Sequence, residues 1–249
     1  MAEQPFPTEI VDIPSNGDVY PKDSALASGK VELKYMTAKE EDILTSTNLI
    51  QKGVVIDHLL GSLIIDKSIK VDELVLGDKN ALMVAARILA YGSEYTARIQ
   101  DPSTGQMIDH TFDLSKCKFT TLPEDAEYSQ GQFNFTLPVS KHKVTFKLTT
   151  GAIDKAINRD IEASKKIGTS AEVTTRLRHT ITSVNGNTEQ PVIVEAVHNM
   201  LSKDSLELRK EILRVTPDIE LSQNIELGGD TVRVDIPLTV EFFWPSTQG

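Results

Sequence analysis

The residue types that most often carry out catalysis are few and scattered in this chain of 249 residues. Cys117 is the single cysteine and could act as a nucleophile with His110 as its base, but proximity in sequence does not build a catalytic pair. The histidines occur singly, with no second ligand at the spacing that zinc requires: His58, His110, His142, His179 and His198. We therefore favour an ordinary, partly buried thiol at Cys117 and structural or surface roles for the histidines, with no catalytic residue and no metal ion.

Two acidic runs could supply the paired carboxylates of general acid–base catalysis. Glu40-Glu41-Asp42 falls in the first turn of a predicted helix, where negative charge interacts favourably with the helix dipole, and Glu124-Asp125 follows a proline. Solvated faces explain both runs. The phosphate-binding patterns GxxxxGK[ST] and GxGxxG, the hydrolase pattern GxSxG and the zinc pattern HExxH do not occur. No cofactor is expected.

Two groups of residues are suited to contacting another protein. Arg176 and Arg178 form a small basic cluster that could meet an acidic partner surface. Phe242, Phe243 and Trp244 place the single tryptophan and two of the eight phenylalanines close to the end of the chain. Aromatic residues in such a position either fix a terminal strand in the core, the interpretation we favour, or anchor a partner.

The composition bounds the class of protein. The 26 basic residues are outnumbered by 36 acidic ones, and the resulting net charge of −10 argues against a nucleic-acid-binding surface. One cysteine permits no internal disulfide, which indicates a reducing compartment. The start of the chain has no signal-peptide pattern, and no apolar run is long enough to cross a bilayer. We expect a soluble intracellular protein whose partners are proteins, not nucleic acid, membranes or small-molecule substrates.

The elements that position these residues are predicted from hydrophobic periodicity and turn residues. Alternation over 31–35 predicts a strand, and Thr37 with Glu40 forms a capping box that begins a helix, for which Gly53 is a stop. Further helices are predicted at 54–65, 79–91, 151–166, 170–183, 191–201 and 204–215, with Asp78 and Asp204 as N-terminal caps. Strands are predicted at 95–99 and 107–112 as a hairpin, near 119, at 133–137 and 143–148, and at 219–227 and 232–243 as a second hairpin.

These elements predict an α+β protein of helices and antiparallel β-hairpins. Residues 1–29 contain several prolines and the turn pair Asn16-Gly17, which predicts an extended N-terminal arm. Residues 30–150 form a first lobe with a hairpin near 95–112, and residues 151–249 form a second lobe with a hairpin near 219–243. Each lobe has a helix followed by a hairpin, which we interpret as a weak internal repeat.

Four segments together carry a resemblance to a known family: IPSNGDVYP at 13–21, MTAKEEDIL at 36–44, the segment 77–95 from Gly77-Asp78 through Arg87 to YGSEY, and FFWP at 242–245. With these segments the sequence resembles the T4-type baseplate hub protein family of contractile-tailed bacteriophages. The resemblance implies a non-enzymatic structural protein that acts in viral tail assembly, in the host cytoplasm and, if it is retained, in the virion baseplate. It also implies other phage baseplate or hub proteins as partners, with self-association left open.

The sequence departs from that family at one chemically important place. Many relatives carry cysteine pairs at the tips of two hairpins, which resemble zinc ribbons. Here the tips are 101–105 and 227–230, and neither holds a thiolate. The resemblance therefore does not extend to zinc, and the turn chemistry of proline and glycine is expected to hold these hairpins.

The predicted partner contacts lie mainly in the arm. We expect the arm from about Pro5 to Pro21 and the exposed hairpin edges to bind by extended backbone pairing, so that deletion up to Tyr20 abolishes binding and leaves the fold intact. The predicted contact residues of the arm are Pro14, Ser15, Gly17, Tyr20 and Pro21. Two other functions stay open at this point, a hub assembly chaperone that leaves before the tail is complete and a hydrolase with an unrecognised site between the lobes.

Overall fold

The structure is a computed structural model that describes residues 6–101, 104–166, 168–169, 171–227, 230–238 and 240–243. The described part contains eight α-helices: α1 Ala38–Thr45, α2 Thr47–Gln51, α3 Val55–Leu63, α4 Leu76–Tyr91, α5 Gly151–Lys166, α6 Glu172–Thr180, α7 Gln190–His198 and α8 Ser202–Arg214. Short 3₁₀ segments lie at Ala25–Ser28, Val71–Glu73, Leu114–Lys116 and Val240–Phe243.

The strands pair in small antiparallel sheets, which confirms the α+β prediction. In chain order they are β1 Thr8–Asp12, β2 Lys30–Lys34, β3 Glu94–Gln100, β4 Met107–Asp113, β5 Phe119–Thr120, β6 Tyr128–Ser129, β7 Gln132–Thr136, β8 Lys143–Lys147, β9 Ile181–Val184, β10 Asp218–Ile219, β11 Ser222–Leu227 and β12 Asp230–Asp235. The pairs are β1–β2, β3–β4, β5–β10 and β11–β12, and the largest described sheet has the order β6-β7-β8-β9.

Several elements that depend on local sequence are confirmed. The strand β2 and the first hairpin, β3–β4, lie at the predicted positions, and α5 has its predicted bounds. Helix α1 begins after Thr37, whose backbone N–H and hydroxyl donate to the Glu40 carboxylate at 3.0 and 2.6 Å. The chain breaks between α1 and α2 at Ser46, so the predicted first helix is two shorter ones.

Two predicted helix caps are wrong for a shared reason. Helix α4 begins at Leu76 and helix α8 at Ser202, so Asp78 and Asp204 lie inside the first turns instead of at the N-caps. Both carboxylates are buried and accept hydrogen bonds from other segments. Those of Asp204 come from the backbone N–H groups of Val139 and Ser140, at 2.7 and 3.0 Å.

Two predicted boundaries also change where tertiary pairing overrides local pattern. Residues 181–183, which the helical spacing assigned to the helix predicted at 170–183, belong to β9, and β9 pairs with β8. The predicted strand 232–243 ends at Asp235, and Val240–Phe243 is a 3₁₀ segment. The tip residues Gly228 and Gly229 of the second hairpin, and Pro102 and Ser103 of the first, lie outside the described residues.

Most of the buried apolar side chains in the described part of the chain form one cluster, which includes residues from the arm and from both predicted lobes, from Ile13 to Phe243. Helix α4 contributes a run of buried residues from Ala81 to Val84. At its start, a Cβ on Gly77 would lie 1.9 Å from the Pro217 carbonyl oxygen. Only glycine therefore allows the chain before β10 to contact α4 this closely. The lobe boundary at residue 150 stays a prediction.

Candidate functional site

The N-terminal arm is built into the body of the protein. Strand β1 pairs with β2, and the chain then turns at Asn16 and Gly17, which both have positive φ, at 50° and 83°. A Cβ on Gly17 would lie 2.5 Å from the Ala27 carbonyl oxygen, so the turn requires glycine for space as well as for conformation. Of the predicted contact residues in the arm, Pro14, Ser15, Gly17 and Tyr20 are buried, and Pro21 is exposed.

A buried carboxylate on α4 holds this arm. Asp78 accepts hydrogen bonds from the Ser15 N–H at 2.9 Å, the Ser15 hydroxyl at 2.6 Å and the Tyr20 hydroxyl at 2.6 Å. The Tyr20 oxygen in turn accepts from the Val75 N–H at 3.0 Å. Burial raises the pKa of Asp78 and outweighs the opposing effect of these donors, and burial together with the Asp78 charge raises the pKa of Tyr20. Tyr20 is therefore a neutral hydrogen-bond donor at physiological pH.

A second buried polar group on α4 holds the end of the described chain. The Arg87 guanidinium donates to the carbonyl oxygens of Phe242, Gly92 and Glu94 at 2.9, 3.0 and 3.1 Å. Burial lowers the pKa of Arg87. The Phe242 ring meets the Tyr95 ring edge-on, with centroids 4.9 Å apart.

Two of the aromatic residues near the chain end lie in the core of the protein. Phe242 and Phe243 are fully buried in the chain's own core, where they pack edge-on at 5.3 Å between centroids. Their rings therefore offer no surface to a partner in this conformation. Trp244 lies outside the described residues.

The segment 36–44 is also connected to α4. The buried Glu40 carboxylate accepts hydrogen bonds from the Lys34 ammonium at 2.6 Å and from the Ser62 hydroxyl at 2.7 Å, in addition to those from Thr37. Although burial raises the pKa of Glu40, these hydrogen bonds outweigh it and lower the pKa to about 2. Next to it, Glu41 accepts a hydrogen bond from the Tyr91 hydroxyl at 2.8 Å, at the end of α4.

The four segments that carry the resemblance therefore meet around α4. The arm reaches it through Asp78, the segment 36–44 through Tyr91, and the chain end through Arg87. Sequence reasoning missed the roles of Asp78 and Arg87. The available signal was a charged residue inside an apolar helix, since Arg87 interrupts the run from Val84 to Leu89 and such a charge is seldom buried without partners.

The two predicted basic contacts have different surroundings. Arg176 is exposed, whereas the Arg178 guanidinium donates to Asp160 at 2.8 Å. His179 Nε2 lies 2.9 Å from the same carboxylate, and this hydrogen bond lowers the pKa of Asp160. A cavity next to this cluster is lined by Arg178, His179, Lys147 and Gln190 among others, and its described lining includes no serine, threonine or cysteine that a His–Asp pair could activate.

Cys117 has the surroundings of a structural thiol. It is half-buried, and burial raises its pKa, so the reactive thiolate is disfavoured. His110, the base considered for Cys117 from the sequence, packs edge-on against Phe112, with ring centroids 4.7 Å apart.

Within the described ranges, no group of three or more histidine, cysteine, aspartate or glutamate side chains could hold a metal ion. The described helices include none that is long and apolar enough to span a membrane.

The arm contributes to two features of the surface. Strand β1 has β2 as its one strand partner in the described part of the chain, and Phe6 and Ile10 are 57% and 63% exposed. An open groove of about 650 Å³ is lined by arm residues such as Pro21 and by residues of the body such as Gln130 and Lys147. These two features leave one backbone edge of β1 and two large apolar side chains accessible at the surface.

The comparison with protein families agrees with this arrangement. Residues 9–244 match the family described as T4 bacteriophage base plate protein. No curated protein and no solved structure matches the chain.

Proposed function

Since the chain belongs to the family of T4 bacteriophage base plate proteins, we propose that it builds the hub of the tail baseplate through protein–protein contacts. A phage baseplate protein has other tail proteins as neighbours, so its function depends on the contacts that its surface makes. The finer role that we propose is that of a hub subunit retained in the virion.

The observation that carries this proposal is the edge of β1 that faces away from β2 and pairs with no other described strand. A strand with an unpaired edge can accept a strand from another chain, and backbone hydrogen bonds then supply the affinity. Ile10 in β1 and Phe6 just before it are exposed apolar side chains, and apolar residues are what protein interfaces bury at their centre. The edge is only five residues long, which limits uncontrolled aggregation.

The edge is preformed in the isolated chain. Ser15 and Tyr20 tie the arm to Asp78, so β1 is held in place without a partner. A partner strand would therefore meet an ordered template and lose less conformational entropy on binding. Deletion up to Tyr20 would remove the buried Ile13 and the hydrogen-bond partners of Asp78. We therefore expect this deletion to unfold the protein and not to leave the fold intact.

The alternative from the same family is a transient hub assembly chaperone. Such a protein would bind hub precursors in the host cytoplasm and would be absent from the finished virion. A hydrolase is the weaker alternative, because the Asp160–His179 pair has no nucleophile in the described lining of its cavity and Cys117 is a poorly ionised thiol. We propose a non-enzymatic role.

Quantitative mass spectrometry of purified infectious particles and of purified baseplate precursors tests the proposal. A fixed ratio of this chain to other tail proteins in finished particles is the expected result for a hub subunit. Presence in precursors alone would establish the chaperone instead. Absence from both would refute a direct part in baseplate building.

A further inference from the structure

A second surface lies between α5, α6 and α8, which belong to the C-terminal half of the chain. These helices enclose a groove of about 320 Å³ whose wall includes apolar side chains of Ile157, Leu177 and Ile212. Val173 is at the groove and is 42% exposed. Since an apolar cavity of roughly 150 Å³ takes up a benzene ring, this groove has room for a large apolar side chain.

The apolar character continues along the outer side of α8. Leu206 is 43% exposed. Leu213 is 77% exposed, which makes it the most exposed large apolar side chain among the described residues. They are seven residues apart, with Arg209 between them at i+3, so the three side chains share one side of the helix. Arg209 also lines the groove, which makes the groove and the leucine stripe one continuous surface.

Two arginines on this surface have no carboxylate partner among the described residues. Arg176 makes no described ion pair, and the Arg209 guanidinium donates to the Ser205 carbonyl oxygen at 3.3 Å. Their neighbours differ, since Arg178 pairs with Asp160 and Arg214 pairs with Glu211 and Asp125. The one carboxylate at the groove, Glu172, lies 3.5 Å from the Lys165 ammonium. The surface thus carries unpaired positive charge on a chain with a net charge of −10.

We propose that this surface, formed by Val173, Arg176, Leu206, Arg209, Ile212 and Leu213, binds an acidic amphipathic helix of another baseplate protein. The partner's apolar side chains would occupy the groove and cover the two leucines, and its carboxylates would pair with Arg176 and Arg209. The inference rests on the proposed function, because it names the chemistry of one partner of a baseplate protein.

A second copy of this chain fits the surface less well. In a two-fold symmetric contact the same patch faces itself, so the unpaired arginines of both copies would be brought into one interface. Like charges facing each other at an interface are unfavourable. An acidic partner satisfies the same arginines without that repulsion.

Peptide binding to the full chain tests the proposal. The probes are two stapled helical peptides of about 18 residues with the same leucine stripe, one with glutamates on its remaining positions and one with lysines. Affinity is measured by fluorescence anisotropy, and sedimentation velocity reports whether the unbound protein self-associates. The variants are Arg176→Glu with Arg209→Glu, and Leu206→Ser with Leu213→Ser. The matched controls are Arg98→Glu with Lys52→Glu, and Ile50→Ser, all at exposed positions outside the surface.

We expect the acidic peptide to bind at least about tenfold more tightly than the basic one, with the arginine variant reversing that preference and the leucine variant weakening both. The controls should bind like the unmodified chain. Failure of the acidic peptide to bind, equal binding of both peptides, or an unchanged preference in the arginine variant would each overturn the proposal. A dimer that the leucine variant dissociates would overturn it in favour of a second copy.

A phage experiment separates failure of this inference from failure of the proposed function. The leucine variant is introduced into the phage, and its amount in baseplate precursors and particles is measured by mass spectrometry. A reduced amount with unchanged thermal stability supports the surface. Incorporation at the unmodified level overturns the surface while the hub role stands, and absence of the unmodified chain from all tail material overturns the hub role itself.

Discussion

The Tyr20 hydroxyl donates a hydrogen bond to the Asp78 carboxylate at 2.6 Å, across 58 residues of chain. This contact joins the arm to α4, the helix that the other segments of the family resemblance also contact. Both residues are buried, so the bond forms where water cannot replace it. The arm is consequently part of the folded core, while its strand β1 stays largely exposed.

We predict that Tyr20→Phe lowers the free energy of unfolding by about 1–3 kcal/mol, because the Val75 N–H and one Asp78 oxygen each lose a partner. Asp78→Asn should cost a similar amount, since an amide nitrogen would face hydroxyl groups that now donate to a carboxylate. Urea unfolding of the two single variants and the double variant measures the coupling. Strictly additive losses would show that the two side chains do not stabilise each other.

The second prediction concerns pH and Glu40. Its pKa is about 2 in the folded protein and 4.5 in an ordinary glutamate, so the folded value is lowered. A lowered pKa gives stability that is present above about pH 4.5 and is lost as the pH falls towards 2. Glu40→Gln should therefore destabilise the protein by up to about 3 kcal/mol at pH 7. Urea titrations at pH 7 and near pH 3 should show this difference shrinking, and a constant difference would contradict the assignment.

The third prediction compares two helical glycines. Gly77→Ala should cost about 2–3 kcal/mol, because the new Cβ meets the backbone of Pro217 and Asp218 at 1.9 and 2.6 Å. Gly61→Ala in α3 is the control, since the nearest atom is a Val71 methyl at 3.9 Å. It should be neutral or stabilise by about 0.5–1 kcal/mol. Equal effects in thermal unfolding would show that α4 does not depend on that close approach.

The fourth prediction concerns the three carbonyl groups held by Arg87. Lysine keeps the charge but has one ammonium group, which cannot reach the carbonyls of Phe242, Gly92 and Glu94 together. Arg87→Lys should lower the free energy of unfolding by about 2–4 kcal/mol and raise the amide hydrogen exchange of residues 240–243. Arg98→Lys on the exposed side of β3 should change stability by less than about 0.5 kcal/mol. Unchanged exchange at 240–243 would contradict the proposed tether.

The fifth prediction tests the β1 edge. Ile10→Lys places a charge where a partner strand would bury an apolar side chain, and lysine on an edge strand blocks strand addition. We expect the folded chain to keep its stability within about 0.5 kcal/mol, and its incorporation into baseplate precursors to fall. Ile50→Lys, at an exposed position in α2, is the matched control and should incorporate normally. Normal incorporation of Ile10→Lys would remove β1 as the contact.

The sequence alone predicted elements whose hydrogen bonds are local. The Thr37–Glu40 capping box spans three residues, and the hairpin of β3 and β4 closes through a turn of a few residues between alternating strands. The composition, the lack of catalytic patterns and the resemblance to the baseplate family were also readable without a structure, because each depends only on residue identity and spacing.

Contacts between distant segments were decided by the tertiary structure. Asp78 and Asp204 have the residue type of helix caps and lie near the helix starts, yet each is buried against a segment more than 50 residues away and accepts its hydrogen bonds there. Residues 181–183 have helical spacing, but the edge of β8 offers them backbone partners, and they become part of a strand. The surface of α6 and α8 likewise exists only because folding brings Arg176 and Arg209 to one groove. The local sequence does not determine which buried polar groups contact each other, because that depends on how distant segments pack.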